Sequence, residues 1–260
     1  MIGCIIQTRM GSTRLPNKVM NKLDEKNPLL FYVIKQLQNC QLIEKIVIAT
    51  TNLKEDDIIE KFANRMGIGC FRGSQKNVLD RHYQCAKKFL FSTIVRIPSD
   101  KPLIDPQIVD KVIEKFKSNS FDYVTNFLPY TFPYGTEVEV ISFNALKIAW
   151  NYAKLPSERE HITSYIQKHK NEFKIFNVSN SKNISHLRWC VDRIEDLQVV
   201  RLIVSKINKR PILLDDILDL YKKEPKIFEI NKNVSRNEGD LKSSKEDEEF
   251  IKSRNKYVII

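Results

Sequence analysis

Short apolar runs alternate with amphipathic helical stretches along this 260-residue chain. That alternation predicts an α/β fold, a mostly parallel sheet sandwiched by helices. Two further observations agree. The first apolar run, residues 2–6, pours directly into a small-residue, cation-rich loop, QTRMGSTRLPNK. Two later apolar runs end at aspartates, Asp100 and Asp192. Ligands of such sheets gather at the carboxyl ends of the strands, so these features mark one edge as the working edge.

Taken in order, residues 2–7 form the first predicted strand, and KIVIATT at residues 45–51 the second. A helix follows over residues 55–66, where Ile58, Ile59, Phe62, Ala63 and Met66 make one apolar stripe. A short strand at residues 70–72 leads to a helix at 77–88. The strand TIVRIP at 93–98 leads to a helix at 106–117, with Pro106 suited to its first turn. Strands at 122–125 and 137–142 flank NFLPYTFPYGTEVEV, whose prolines, glycine and aromatics read as a loop-and-hairpin excursion over residues 126–142. Helices are predicted at 143–152 and 157–169, the second with Ser157 and Glu160 as a capping box. Strands at 173–178 and 187–192 precede helices at 194–207 and 213–223. One nucleotide-binding domain over residues 1–225 is expected, then a loosely held polar tail over 226–260 that includes a KEDEE run and ends in an apolar YVII able to dock. No internal repeat is present.

At 260 residues the chain can bury one substantial core. Its 42% hydrophobic and 29% charged residues describe an ordinary globular protein. No segment approaches the roughly 18 apolar residues needed to cross a membrane, and the N-terminal run is too short for a signal peptide. Five cysteines, Cys4, Cys40, Cys70, Cys85 and Cys190, lack C-x-x-C spacing and sit in mostly apolar contexts. They read as reduced core residues of a cytoplasmic protein. The net charge of +11 is spread through every predicted helix beside Glu and Asp, with no basic stripe interleaved with aromatics. Nucleic acid is therefore not an expected partner, while an anionic small molecule is.

The loop after the first strand supplies phosphate-binding chemistry. Gly11 and Ser12 let backbone N–H groups approach phosphate oxygens, and Arg9, Arg14 and Lys18 neutralise their charge. It is not a P-loop, because Asn17 and Val19 stand where that motif needs Gly and a hydroxyl. A plain basic turn is the alternative. Asp100 and Asp192, at the ends of apolar runs, are either Mg²⁺ ligands or, respectively, a turn residue and a helix cap. Asp105, Glu195 and Asp196 read as capping or first-turn residues. Thr51 and Asn52 after one strand, and Arg72 and Ser74 after another, are candidate base and ribose contacts, or ordinary turn residues. His82, His169 and His186 have no metal spacing and read as surface or structural.

The segment IIQTRMGSTRLPNK resembles the N-terminal signature of the cytidylyltransferases that activate acidic sugars, the group containing CMP-Kdo and CMP-sialate synthetases. The nearest resemblance is to the branch named after the spore-coat polysaccharide protein SpsF. ATTN at residues 49–52, RGSQKNVLDR at 72–81, SDKPLIDP at 99–106 and YGTEVEV at 134–140 resemble that branch in the same order. So do REHIT at 159–163, VDRIEDL at 191–197 and RNEGDLKS at 236–243.

The resemblance implies a Rossmann-like sheet of the nucleotide-diphosphosugar transferase type and transfer of CMP from CTP to a small anionic acceptor in surface polysaccharide or glycan biosynthesis, with release of pyrophosphate. It implies nucleotide binding by Arg9, Gly11, Ser12, Arg14, Lys18, Thr51, Asn52, Arg72 and Ser74. It places Mg²⁺ on Asp100 and Asp192, with Arg14, Lys18 and Asp100 in the catalytic role. The acceptor is expected near Tyr134, Glu137, Glu139 and Arg159. In that family such an excursion covers the acceptor site and meets a second subunit, and the aromatic cluster Phe127, Leu128, Tyr130, Phe132 and Tyr134 is apolar enough to expect a homodimer here. Ser99 and Lys101 flank Asp100 where the family carries small residues, which leaves the acceptor's identity open. Lys101 either brings a cation to that acceptor or points to solvent. A phosphorylated non-sugar metabolite, a phosphonate, or a non-catalytic role as a nucleotide-binding partner are the alternatives.

Overall fold

Strand β1, Ile2–Gln7, lies at the middle of the molecule, and its side chains alternate between two cores. Cys4 and Ile6 face one, Ile5 the other, and all three are wholly buried. The computed structural model describes residues 1–236 and 238–255, so the terminal YVII segment lies outside the described residues.

Strands β2 (Lys45–Thr51), β3 (Gly69–Gly73), β4 (Thr93–Pro98), β5 (Tyr123–Thr125), β6 (Glu139–Ser142) and β7 (Ile175–Asn177) complete one seven-stranded sheet. Its order is β3-β2-β1-β4-β6-β5-β7. Only β6 runs antiparallel, to both β4 and β5. The sheet is thus mostly parallel, and the carboxyl ends of β1, β2, β3 and β4 share one edge.

Helices α1 (Leu29–Leu37), α2 (Asp57–Arg65), α3 (Val78–Lys88), α4 (Pro106–Lys117) and α5 (Phe143–Tyr152) pack on the two faces. Asn77 caps α3 by accepting from the Asp80 N–H at 2.9 Å, and Asp105 caps α4. Helix α1 has no counterpart among the predicted elements. LLFYVIKQL is buried almost all round, so it lacks the polar stripe that periodicity detects.

The predicted helix at 157–169 is two short helices, α6 (Pro156–Glu160) and α7 (Ser164–Lys168). The chain turns between them because Ile162 enters the core and the Thr163 hydroxyl donates to Glu139 at 2.6 Å. Nor do Ser157 and Glu160 form the capping box. Glu158 takes that role, accepting from the N–H groups of Lys154 and Leu155. Helices α8 (Ile194–Lys206) and α9 (Leu214–Lys223) follow the predictions within a residue.

Two other expectations are corrected. Residues 187–192 are not a sheet strand. They run extended across the carboxyl edge, bonded through Leu187 and Trp189 to Tyr134 and through the Val191 N–H to the Asp100 carbonyl at 2.8 Å. Leu187, Trp189 and Val191 turn into the core, which accounts for their apolar character without a place in the sheet. The stretch read as a loose tail contains helices α10 (Lys226–Glu229) and α11 (Glu238–Asn255). The Asp247 carboxylate of α11 accepts from the Ser157 N–H and hydroxyl at 2.9 and 2.6 Å, docking that helix on α6.

Candidate active site

The loop between β1 and residue 18 is pinned at both ends. The Thr8 N–H donates to the Ala49 carbonyl, and the Met10 N–H to Asp56 at 2.7 Å. Asp56 also accepts from the Thr51 N–H and hydroxyl, so one buried carboxylate ties the first loop to the end of β2. Leu15 and Val19 then plug into the core, and their neighbours Arg14 and Lys18 are delivered to the sheet edge.

Asp100 follows β4, and Asp192 arrives from the crossing segment 187–192, held beside it by the Val191–Asp100 backbone bond. Lys18 Nζ stands 3.2 Å from Asp192 and 3.4 Å from Asp100. Arg14 reaches Asp192 at 2.6 Å. Burial alone would lower the Lys18 pKa, but Asp100 and Asp192 outweigh it and hold the ammonium above its ordinary value. Burial likewise works to raise Asp192, and Lys18 and Arg14 overcome it, leaving the carboxyl below its ordinary range. Four charged groups from distant parts of the chain, Arg14, Lys18, Asp100 and Asp192, therefore meet.

The donor set fits a hard divalent cation. Oxygens of Asp100 and Asp192 and the Cys190 sulfur lie within 4.8 Å of one another, and Asp100 Oδ1 is buried without a hydrogen-bond partner. Burial, then Asp100 and Asp192, push the Cys190 thiol far up, so it is a neutral neighbour of the two carboxylates.

A second charged group lies alongside. Arg9 pairs with Glu160 at 3.7 Å. Arg81 is buried, with Nη1 donating to the Ser74 carbonyl at 3.0 Å and Nε unpartnered. Burial, then the nearby charge of Arg9, lowers its pKa to about 10. Arg96 pairs with Glu139 and donates to Gln7 at 2.9 Å. Glu139 also accepts from Tyr123 at 2.8 Å and from Thr163, so its carboxylate is fully engaged inside the fold.

The remaining sequence-predicted residues scatter. Gly11 and Ser12 lie in the first loop, with Ser12 Oγ accepting from the Leu15 N–H at 3.3 Å. The Thr51 hydroxyl is committed to Asp56, while the Asn52 side chain is exposed. Arg72 is drawn away from the aspartates: it pairs with Asp57 and Glu60 and donates to the Thr51 and Leu53 carbonyls, bracing the turn after β2. Ser74 accepts from the Asn77 N–H ahead of α3. Glu137 pairs with Lys101 at 3.0 Å, and Lys101 is buried, so it neither points to solvent nor stands ready for an acceptor. Tyr134 packs beneath Arg188, whose guanidinium carbon is 4.8 Å from the ring centre. Arg159 lies on α6, with no side-chain hydrogen bond or ion pair among the described residues. Tyr134, Glu137, Glu139 and Arg159 therefore do not converge on one group: each has its own partners or, among the described residues, none.

Arg188 and Asp196 were not among the expected site residues, beyond Asp196 as a cap. Arg188 holds Asp192 at 3.1 Å and Asp196 at 2.7 Å, while Asp196 accepts from the N–H groups of Asp192 and Arg193. The signal lay in LRWCVDRIED, where Arg188, Cys190 and Asp192 share the face opposite the buried Trp189 and Val191.

Comparison with known proteins decides the family. Residues 3–253 match the Cytidylyltransferase family. The chain belongs to it. Among curated relatives, an uncharacterized protein of Methanocaldococcus jannaschii is 36% identical over 88% of this chain and 94% of its own length. The spore coat polysaccharide biosynthesis protein SpsF of Bacillus subtilis is 30% identical over 85% of this chain and 94% of its own. 3-Deoxy-manno-octulosonate cytidylyltransferases are among the further matches. A solved cytidylyltransferase structure from Leptospira borgpetersenii superposes with a TM-score of 0.85 at 31% identity, covering 90% of this chain and 98% of that one. This cytidylyltransferase is thus an enzyme of nucleotidyl transfer on the Rossmann-like sheet of its relatives. No helix among the described residues is long and apolar enough to cross a membrane.

Proposed function

We propose that this cytidylyltransferase transfers CMP from CTP to an acidic sugar or similar small anionic acceptor, with Mg²⁺, in the making of a surface polysaccharide. The observation that carries the reading is the meeting of Arg14 and Lys18 with Asp100 and Asp192 at the carboxyl edge. In the reaction an acceptor oxygen attacks the α-phosphorus in line, the bond to the β-phosphate oxygen breaks, and pyrophosphate leaves. Such chemistry asks the protein for position and charge more than for covalent help. Arg14 and Lys18 are the cations that turn from the carboxylates to the triphosphate. Asp100 and Asp192 would hold Mg²⁺, which would supply charge neutralisation at the phosphates. Arg9, held by Glu160, and the buried Arg81 add positive charge beside the first loop. The relatives, a spore coat polysaccharide biosynthesis protein and 3-deoxy-manno-octulosonate cytidylyltransferases, support an acidic sugar as the acceptor.

Calorimetric titration with CTP, UTP, ATP and GTP in Mg²⁺ tests the nucleotide, and CTP is expected to bind tightest. Pyrophosphate release over a panel of sugar acids tests the acceptor. EDTA and the Asp100→Asn and Asp192→Asn variants are expected to lower that release by orders of magnitude. Tighter binding of a purine nucleotide would overturn the cytidylyl reading, and full activity in EDTA the metal.

A further inference from the structure

A cavity of about 170 Å³ opens between the crossing segment and the stretch after α9, with Arg188, Arg236, His186, Asn231 and Lys232 in its wall. We propose that this cavity anchors the anionic group, carboxylate or phosphate, of the acceptor, with Arg188 and Arg236 as its clamp. The proposal rests on the cytidylyl-transfer reading and names where the second substrate is held.

Three observations point to an anion. Arg188 is buried, and its Nε and Nη2 are taken by Asp196 and Asp192, yet Nη1 is buried with no partner. A guanidinium N–H without an acceptor inside a protein marks a place where an acceptor belongs. Second, Arg236 lies over the same ring as Arg188: their guanidinium carbons are 5.3 and 4.8 Å from the Tyr134 centroid. Two like charges are brought to one ring. Third, Arg236 has no carboxylate within ion-pair distance among the described residues, its nearest polar partner being the Leu187 carbonyl at 3.4 Å. Lys232 is balanced by Glu229, which also lines the cavity, so the charge without an ion-pair partner among the described residues is that of Arg236. An anion seated between the two guanidinium groups gives Nη1 its acceptor and removes the repulsion.

The position suits an acceptor better than an independent effector. Arg188, Cys190 and Asp192 lie on one face of the crossing segment, and Arg188 Nη2 touches the carboxylate assigned to the metal. Arg188 is thus shared between the cavity wall and the carboxylate assigned to the metal, so an anion gripped at Arg188 lies one side chain away from Asp192. The volume holds a carboxylate or phosphate with a few neighbouring atoms and excludes a nucleotide. Remote anchoring of this kind orients the nucleophile without touching the reacting bond.

The test uses inorganic phosphate as probe and the full chain. Calorimetry without nucleotide is expected to give saturable phosphate binding, weakened tenfold or more in Arg236→Glu. The same variant is expected to bind CTP with Mg²⁺ within about twofold of wild type. In the pyrophosphate-release assay Arg236→Ala is expected to raise the acceptor KM at least tenfold with the CTP KM unchanged, and phosphate to compete with the acceptor. Because Arg188 also holds Asp192 and Asp196, Arg188→Lys is the second variant: it keeps the charge, loses the fork, and is expected to weaken phosphate as Arg236→Glu does. Phosphate binding indifferent to both variants would overturn the site. Phosphate inhibition that does not compete with the acceptor would overturn its assignment to the acceptor. A wild type that binds phosphate here but no CTP would instead refute the cytidylyl reading and leave the anion site standing.

Discussion

Replacing Lys18 tests the charge balance of the site before any nucleotide is added. In Lys18→Met a straight side chain of similar length remains, but the ammonium 3.2 Å from Asp192 and 3.4 Å from Asp100 is gone. Breaking a buried pair costs about 3–5 kcal/mol when it strands the other charge. Asp192 still has Arg14 at 2.6 Å and Arg188 at 3.1 Å, and Asp100 is partly open to water. The loss should therefore fall lower, at ~1–3 kcal/mol, or roughly 3–10 °C in Tm for a chain of this size. Mg²⁺ should restore much of it. A divalent ion between the two carboxylates takes the place of the ammonium, and a tenfold excess over its Kd adds about 1.4 kcal/mol. In the wild type the ion must first displace Lys18, so the gain is smaller.

The pH dependence carries a further check. Asp192 is held below its ordinary value, so its contribution is present above that value and is lost as pH falls through the depressed one. Removing Lys18 takes away one of the charges that hold the Asp192 carboxyl down, so the variant's deficit should be largest near neutrality and shrink as that carboxyl protonates. Thermal unfolding of both proteins, with EDTA and with millimolar Mg²⁺, from neutral to acid pH is the measurement. An equal Mg²⁺ shift in the two proteins, or a deficit that grows on acidification, would refute the reasoning. In the same variant CTP should bind about ten- to 150-fold more weakly, the loss of one charge-assisted contact of roughly 1.5–3 kcal/mol.

Two other outcomes are expected. His82 is wholly buried, and burial, then Arg96 and Arg81, hold it well below the ordinary 6.5. The unfolded chain takes up that proton first, so stability should fall below pH 6.5 by up to about 1.4 kcal/mol per pH unit. His82→Leu should flatten that slope in denaturant titrations, and an unchanged slope would show that another group sets it. In the excursion, Phe132 is buried in the chain's own core, while Leu128 and Tyr130 stay 38% and 39% exposed. Light scattering should give a dimer for the wild type and a monomer for Leu128→Asp with Tyr130→Asp, and a wild type monomeric at high micromolar concentration would remove the interface.

What could be read from sequence was what local pattern and tertiary setting both specify. TIVRIP is apolar, bounded and β-branched, and it is a central strand; Asp105 precedes Pro106 at a helix start, and it caps that helix. Where the environment overrides the pattern, reading fails in a definite direction. LLFYVIKQL has no stripe because its surroundings are apolar on nearly every side. LRWCVD has the alternation of a strand yet bonds to Tyr134 and Asp100, because alternation reports one buried face and says nothing of which backbone lies alongside. The site follows the same rule. Asp100 reaches the carboxyl edge because it follows β4 closely, and Arg14 and Lys18 because their loop leaves β1 at that edge, whereas Asp192 is carried there by the crossing segment and not by a strand. Glu139 was not legible: the alternating EVEV suggests a carboxylate offered outward, and its Arg96 partner comes from a strand 43 residues away. Gly135 makes the point from the backbone. Its φ is +114°, and a Cβ there would lie 2.7 Å from the Cys190 nitrogen. The excursion can press on the crossing segment only through a glycine, and that contact sets Tyr134 under Arg188. Charge pairing between remote segments, not periodicity, brings Arg188 to Asp192 and Asp196, which is why Arg188 emerges only once the chain is folded.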